Sequence, residues 1–334
     1  MPVCRDSFGR VIDYLRISVT DRCNLRCVYC MPPEGVLWRP REDILSYEEI
    51  VRVVWIAAGL GVRKIRLTGG EPLIRAGLTD LVAALAQIPG IEEISLTTNA
   101  ILLAHLAQPL AEAGLARVNI SLDTLQPERF ARITRFGQLD QVWRGIEAAE
   151  RAGLTPLKLN MVVVRGVNDD ELADFARLTL TRPWHVRFIE LMPVGNAGEW
   201  GADFPEAGTR FMPVAEMRER LAPLGELLPG GYLRGNGPAQ IYRLPGAAGT
   251  LGFISPVSQH FCDGCNRLRL TADGRLRPCL LQDGEVNLIP ALRNGADVMQ
   301  IQALIMQTVR AKPRRHQLQE HVLPQARGMS AIGG

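Results

Sequence analysis

Residues 14–31 read Tyr-Leu-Arg-Ile-Ser-Val-Thr-Asp-Arg-Cys-Asn-Leu-Arg-Cys-Val-Tyr-Cys-Met. The run Leu15–Val19 predicts a β-strand, with Leu15, Ile17 and Val19 on one face and Arg16 and Ser18 on the other. A basic side chain on such a strand must meet a ligand, a counter-ion or solvent, because burying it unpaired is costly. Directly after the strand, Cys23, Cys27 and Cys30 form a C-x3-C-x2-C loop. One short stretch thus supplies a strand, a metal-ligating loop at its C-terminal end and a cation aimed off its polar face.

Outward from this stretch, β-branched runs alternate with helical periodicity as far as about Met192. Strands are predicted at Lys64–Leu67, Glu93–Leu96, Arg117–Ile120, Leu157–Val163 and Val186–Ile189. Helices are predicted at Tyr47–Ala58, Leu78–Gln87, Leu102–Ala113, Val142–Ala152 and Glu171–Leu180, with a further turn at Pro127–Ile133. This rhythm is α/β, either an open doubly wound sheet or an incomplete (βα)6 barrel. The barrel is favoured because polar residues cluster after the strands: Thr68-Gly69-Gly70-Glu71-Pro72, Thr97-Thr98-Asn99, Ser121-Leu122-Asp123 and Glu190-Leu191-Met192. Active sites of βα barrels are built from those loops.

Past Met192, Gly and Pro become dense, and we expect residues 1–212 and 213–334 to form two domains, the second an α+β extension. It holds a helix at Met212–Leu221 and strands at Gln240–Leu244, Thr250–Ile254, Arg267–Thr271 and Arg275–Leu280. Asp273-Gly274 predicts a two-residue hairpin that sets Cys279 opposite Leu268. Arg267 and Arg269 share one strand face, with Leu268 and Leu270 on the other.

The seven cysteines divide into Cys4 alone, the first triad, and a second triad of Cys262, Cys265 and Cys279. Structural zinc is closed by four ligands, and a four-iron cluster is usually held by four thiolates. Three thiolates leave one iron open to a small molecule. A zinc loop borrowing Cys4 is the alternative for the first triad, and a Cys3His zinc site completed by His260 is the alternative for the second. Against 38 Lys and Arg stand 35 Asp and Glu, too even a balance for a chain built to grip nucleic acid through Arg314-Arg315 and other basic residues. No apolar run is long enough to span a membrane, and Met1–Thr20 has no signal-peptide core. A cytoplasmic chain, whose cysteines are not a disulfide framework, is expected.

C-x3-C-x2-C after a first strand, with Tyr29 before the last cysteine, resembles the radical S-adenosylmethionine superfamily. Asp13–Pro32, Thr68–Leu73, the second triad with Arg267 and Arg269, and the closing Gly333-Gly334 resemble its GTP 3′,8-cyclase family. The resemblance implies two four-iron (4Fe–4S) clusters on the two triads, with S-adenosylmethionine at the first and the guanine end of GTP at the second. The implied reaction is conversion of GTP to (8S)-3′,8-cyclo-7,8-dihydroguanosine 5′-triphosphate, the first step of molybdenum cofactor biosynthesis. In it a 5′-deoxyadenosyl radical takes the 3′ hydrogen, and C3′ attacks C8. Tyr29, Gly70, Ser121 and Met192 carry over as S-adenosylmethionine contacts. Arg16, Arg66, Thr97, Lys158, Arg267 and Arg269 carry over to GTP, with Arg16, Arg267 and Arg269 in the catalytic set. Implied partners are a one-electron donor such as flavodoxin or ferredoxin, a downstream cyclic pyranopterin monophosphate synthase and a second copy of the chain. Ala100 departs from the glycine expected after Thr-Thr-Asn. The competing reading is a peptide-modifying radical enzyme with an auxiliary cluster.

Overall fold

The computed structural model describes residues 3–194, 200–231, 237–320, 322–324 and 327–333. The predicted rhythm is realised as β1 (Tyr14–Ser18), α1 (Tyr47–Gly59), β2 (Lys64–Thr68), α2 (Leu78–Ala86), β3 (Glu93–Thr98), α3 (Leu103–Glu112), β4 (Arg117–Ser121), α4 (Pro127–Thr134), α5 (Leu139–Arg151), β5 (Lys158–Val163), α6 (Leu172–Thr181) and β6 (His185–Glu190). Local chemistry sets the boundaries. At the start of α1, Ser46 Oγ accepts from the Glu49 amide while the Glu49 carboxylate accepts from the Ser46 amide. The outward faces of the strands (Leu15, Ile17, Ile65, Leu67, Leu96, Val118 and Ile120) pack with the helices in one apolar core. Each such side chain contributes roughly 1.5–3 kcal/mol by leaving water.

The C-terminal part adds α7 (Val214–Leu221), β7 (Leu228–Pro229), β8 (Gln240–Arg243), β9 (Thr250–Ile254), β10 (Arg267–Leu270), β11 (Arg275–Arg277), β12 (Val286–Asn287), α8 (Ile289–Arg293) and α9 (Val298–Arg310). All strands join one sheet in the order β12-β11-β10-β1-β2-β3-β4-β5-β6-β9-β8-β7. β10 pairs parallel with β1 and β9 pairs parallel with β6, so the late strands extend both edges of the six-stranded βα sheet. β9 and β10 do not pair with each other, and the barrel stays open.

The hairpin register departs from expectation. Leu270 faces Leu276, and Gly274, at φ +69°, donates its amide to the Thr271 carbonyl. Three residues, Ala272 to Gly274, therefore form the loop, with the glycine in the left-handed position of a bulged turn. Continued along β11, this register sets Cys279 opposite Arg267 rather than Leu268, and so nearer Cys265. Sequence reading also passed over α8 and α9, although Asp297 and Gln300 form a reciprocal N-terminal cap on α9. Ala100 sits at φ +64°, the left-handed region where glycine is at ease. Its amide bonds to Thr98 Oγ1, which holds the strained turn in place.

Candidate active site

The inward face of the sheet and the loops beyond its strands enclose a cavity of about 310 Å³. All six triad cysteines line it, three from the β1 loop and three from the β9–β10 connection and the end of the β10–β11 hairpin. All are free thiols. Among the described residues no three His, Cys, Asp or Glu side chains are grouped to hold a single metal ion. Cys4 instead points its thiol at Met306 Sδ, and the His260 ring packs edge-on against His316. Neither completes a zinc site. A sulfur-only donor set with an unfilled position suits an iron–sulfur cluster.

In the first triad, burial pushes the thiols up, Cys23 to about 11 and Cys30 to about 12, with Cys23 and Asp123 adding to the shift at Cys30. Metal binding must displace those protons. Tyr29, between two of the cysteines, donates its hydroxyl to Asp123 Oδ2 at 2.6 Å, and Asp123 Oδ1 accepts from the Val162 amide at 2.8 Å. The Tyr29 ring lies 6.4 Å from Trp200, and Arg210 lies 4.0 Å over the Trp200 ring. The sequence offered no signal for that aromatic support.

Gly70 donates its amide to the Thr20 carbonyl, and a Cβ there would fall 2.1 Å from the Arg22 carbonyl oxygen. Glycine is required to dock this loop on the cysteine loop. Glu71, fully buried, accepts from Thr98 Oγ1, the Asn99 amide and the Leu73 amide. Desolvation still raises its pKa from 4.5 to about 7. The folded chain therefore holds a proton that the unfolded chain has released, so this contribution to stability is full below pH 4.5 and is lost as the pH rises through 7. Relative to Glu71→Gln, the wild type should lose about 3 kcal/mol of stability across that window. Urea unfolding of both proteins at its two ends measures the difference, and parallel curves would contradict it.

The cationic residues come together through register. Arg16 is paired with Arg269 on one neighbouring strand and with Arg66 on the other. Three guanidinium-bearing residues thus stand in one row on strands about 4.8 Å apart, where like charges repel. Arg267 and Arg187 also line the cavity. Burial and the other arginines push Arg187 down to about 9 and Arg269 to about 10. The Nε atoms of Arg187 and Arg267 have no hydrogen-bond partner among the described residues. Such a row favours a compensating polyanion in the cavity.

Ser121, Met192 and Thr97 line the same cavity. Lys158 does not. It is the first residue of β5, buried, with a pKa lowered to about 6 by desolvation and by Arg187. Arg187, which sequence reading missed, was legible as a mid-strand cation sharing a face with Ile189.

The second triad is braced from several elements. Lys312 Nζ donates to the Arg267 and Pro278 carbonyls, and Arg10 Nη1 donates to the Cys262 carbonyl. Burial raises the Cys265 thiol, but Lys312 and Arg267 outweigh it and leave the thiol below its ordinary value. Glu190, at the end of β6, accepts from the amides of Val214, Val257 and Ser258 and from Ser258 Oγ, tying β6 to the segment that leads to Cys262.

The tail enters the same cavity. The Gly333 carbonyl accepts from Arg269 Nη1 at 2.6 Å and Arg16 Nη2 at 3.2 Å. Gly333 has φ +68°, and a Cβ there would lie 2.3 Å from Thr68 Oγ1. Arg327 anchors the tail on Asp273 and Glu285. Gly334 lies outside the described residues. Deleting Gly333 and Gly334 should cut turnover at least tenfold with little change in melting temperature, because the apolar core is untouched. Unaltered turnover would contradict a role for the tail.

An open α/β barrel with a three-cysteine loop after its first strand and a glycine-rich loop after its second defines a radical S-adenosylmethionine protein. The family description "Radical SAM superfamily" matches residues 17–179, and "Molybdenum Cofactor Synthesis C" matches residues 184–318. The chain is 54% identical to a GTP 3′,8-cyclase of Moorella thermoacetica over 330 residues, 99% of this chain and 100% of that one. It is also 54% identical to a GTP 3′,8-cyclase of Pelotomaculum thermopropionicum, with the same coverage. The chain belongs to the GTP 3′,8-cyclase family. Among solved structures, SuiB of Streptococcus suis bound to S-adenosylmethionine has a TM-score of 0.59 at 15% identity, covering 87% of this chain and 67% of that one. That likeness is one of fold.

Proposed function

We propose that this chain converts GTP to (8S)-3′,8-cyclo-7,8-dihydroguanosine 5′-triphosphate. One observation carries the reading: two sulfur triads and five arginines face a single cavity. When bound, the two clusters and S-adenosylmethionine supply the radical source and an iron site for the guanine end. The residues of the chain do the rest. Cys23, Cys27 and Cys30 hold the first cluster, and Cys262, Cys265 and Cys279 hold the second. Tyr29, fixed by Asp123, works with Gly70, Ser121 and Met192 to orient S-adenosylmethionine. Arg16, Arg66, Arg267 and Arg269 grip the triphosphate and offset its charge, with Thr97 beside them and Arg187 as an added cation. Lys158 stays in the GTP set as a buried lysine whose charged form a bound polyanion would favour.

We assign residues 1–212 to the partial barrel and 213–334 to a C-terminal domain that carries the second triad and the double-glycine tail. The product's chemistry suits transfer to a cyclic pyranopterin monophosphate synthase. Among the described residues no helix is long and apolar enough to cross a membrane, and we place the chain in the cytoplasm. The peptide-modifying alternative has only the fold in its favour.

Anaerobic reconstitution should load about eight irons per chain. The loaded protein should consume GTP in the presence of S-adenosylmethionine and reductant. Cys265→Ser should lose GTP conversion while some uncoupled S-adenosylmethionine cleavage persists. No loss of GTP by the fully loaded wild type would overturn the assignment.

A further inference from the structure

We propose that the outer surface of the first cysteine loop is the docking site of an acidic one-electron carrier protein. The inference rests on the reading that Cys23, Cys27 and Cys30 hold a reducible cluster, and it names the place where the electron enters. The inner side of that loop faces the cavity. Ligands occupy that side during turnover, so a protein donor must approach from outside.

The outer side is unlike the rest of the surface. Leu37 is 99% exposed, Trp38 56% and Phe136 67%. These belong to one region. The Arg26 guanidinium lies against Gly35, with Nε 2.7 Å from where a Cβ would stand. Arg135, next to Phe136, donates to the Arg26 and Met31 carbonyls. Arg22 lies 4.8 Å over the Trp38 ring. Exposed single apolar residues are ordinary. Three large ones around a cofactor-bearing loop, interleaved with arginines, have the composition of a protein interface.

Charge selects the partner. Residues 22–41 carry Arg22, Arg26, Arg39 and Arg41 against Glu34 alone, and Arg132 and Arg135 adjoin them. Glu42 and Asp43 bound the patch on one side, and Arg39 has an ion-pair contact with Asp273 at 3.4 Å. Arg22, Arg26, Arg39, Arg41, Arg132 and Arg135, set against Glu34, Glu42 and Asp43, leave this outer face with an excess of positive charge. A basic, small, partly apolar surface suits a transient encounter with an acidic carrier, steered by charge and released quickly. Arg26 also donates to the Cys23 and Leu25 carbonyls, so the polypeptide between this face and the sulfurs is held rigid. In the step itself one electron passes from the carrier, which is oxidised by one, to the cluster, which is reduced by one. No atom is transferred.

The test uses the cluster-loaded full chain, reduced flavodoxin as the probe and the double variant Leu37→Glu, Arg41→Glu. Flavodoxin affinity, measured by calorimetry, should weaken about tenfold in the variant and lose most of its salt dependence. The rate of 5′-deoxyadenosine formation driven by flavodoxin should fall about tenfold, while the rate driven by dithionite stays within about twofold. Unchanged affinity and unchanged flavodoxin-driven rate would overturn the proposal. An equal fall with dithionite would also overturn it, since the patch would then shape the cluster rather than dock a donor. Because neither readout requires GTP, a failure of GTP conversion with both readouts as expected would count against the substrate assignment and support the docking site.

Discussion

Cys27→Ser should yield a folded chain that neither cleaves S-adenosylmethionine nor consumes GTP. Cys27 sits at the centre of the first triad, and burial followed by repulsion from Cys30 raises its thiol well above the ordinary range. Only bonding to a metal repays deprotonation there. A serine hydroxyl ionises far less readily and offers a hard oxygen in place of a soft sulfur, so the cluster should not assemble. The second triad is built on other elements and should still load. Iron should therefore fall from about eight to about four per chain, and 5′-deoxyadenosine formation to background. The sheet should survive, because the apolar core beneath the loop is independent of the metal. Full iron content, or cleavage at an appreciable fraction of the wild-type rate, would remove Cys27 from the ligand set.

Arg267→Ala should lower kcat/KM for GTP by about a hundredfold or more, at little cost in stability. Arg267 lines the cavity beside the second triad, and its guanidinium carbon lies 5.4 Å from the centre of the Phe261 ring. Burial lowers its pKa, partly offset by the Cys265 thiol. A charge-assisted hydrogen bond to phosphate is worth about 1.5–3 kcal/mol, and loss of a positioned cation in a desolvated site costs more. The folded, ligand-free protein loses little, because the change also relieves repulsion within the arginine set. Steady-state kinetics with a melting curve separates the two effects. Normal turnover, or a collapse in melting temperature, would contradict the proposed role.

The sequence determined a good deal of this protein unaided. Strand alternation and helical period are local, so the six βα units were readable, as was the fact that Arg16, Arg267 and Arg269 leave the apolar face of their strands. The first triad and the Cys262–Cys265 pair were legible because metal ligation favours short spacings, and Cys279 joined them only through the predicted hairpin. Ala100 stood out only against the glycine of the family it resembles, and its Cβ carries a strain in the left-handed region that glycine would not.

Only the tertiary structure decided what those pieces become together. Pairing register between strands more than 200 residues apart aligned Arg269 with Arg16 and Arg66, and a three-residue loop rather than a two-residue one set the register of the β10–β11 hairpin that leads to Cys279. α9 delivered Lys312 behind the second triad, and the anchored tail carried the Gly333 carbonyl to two arginines. Parallel pairing and long-range docking are set by which surfaces fit, after chain entropy has been overcome. No local pattern records that choice.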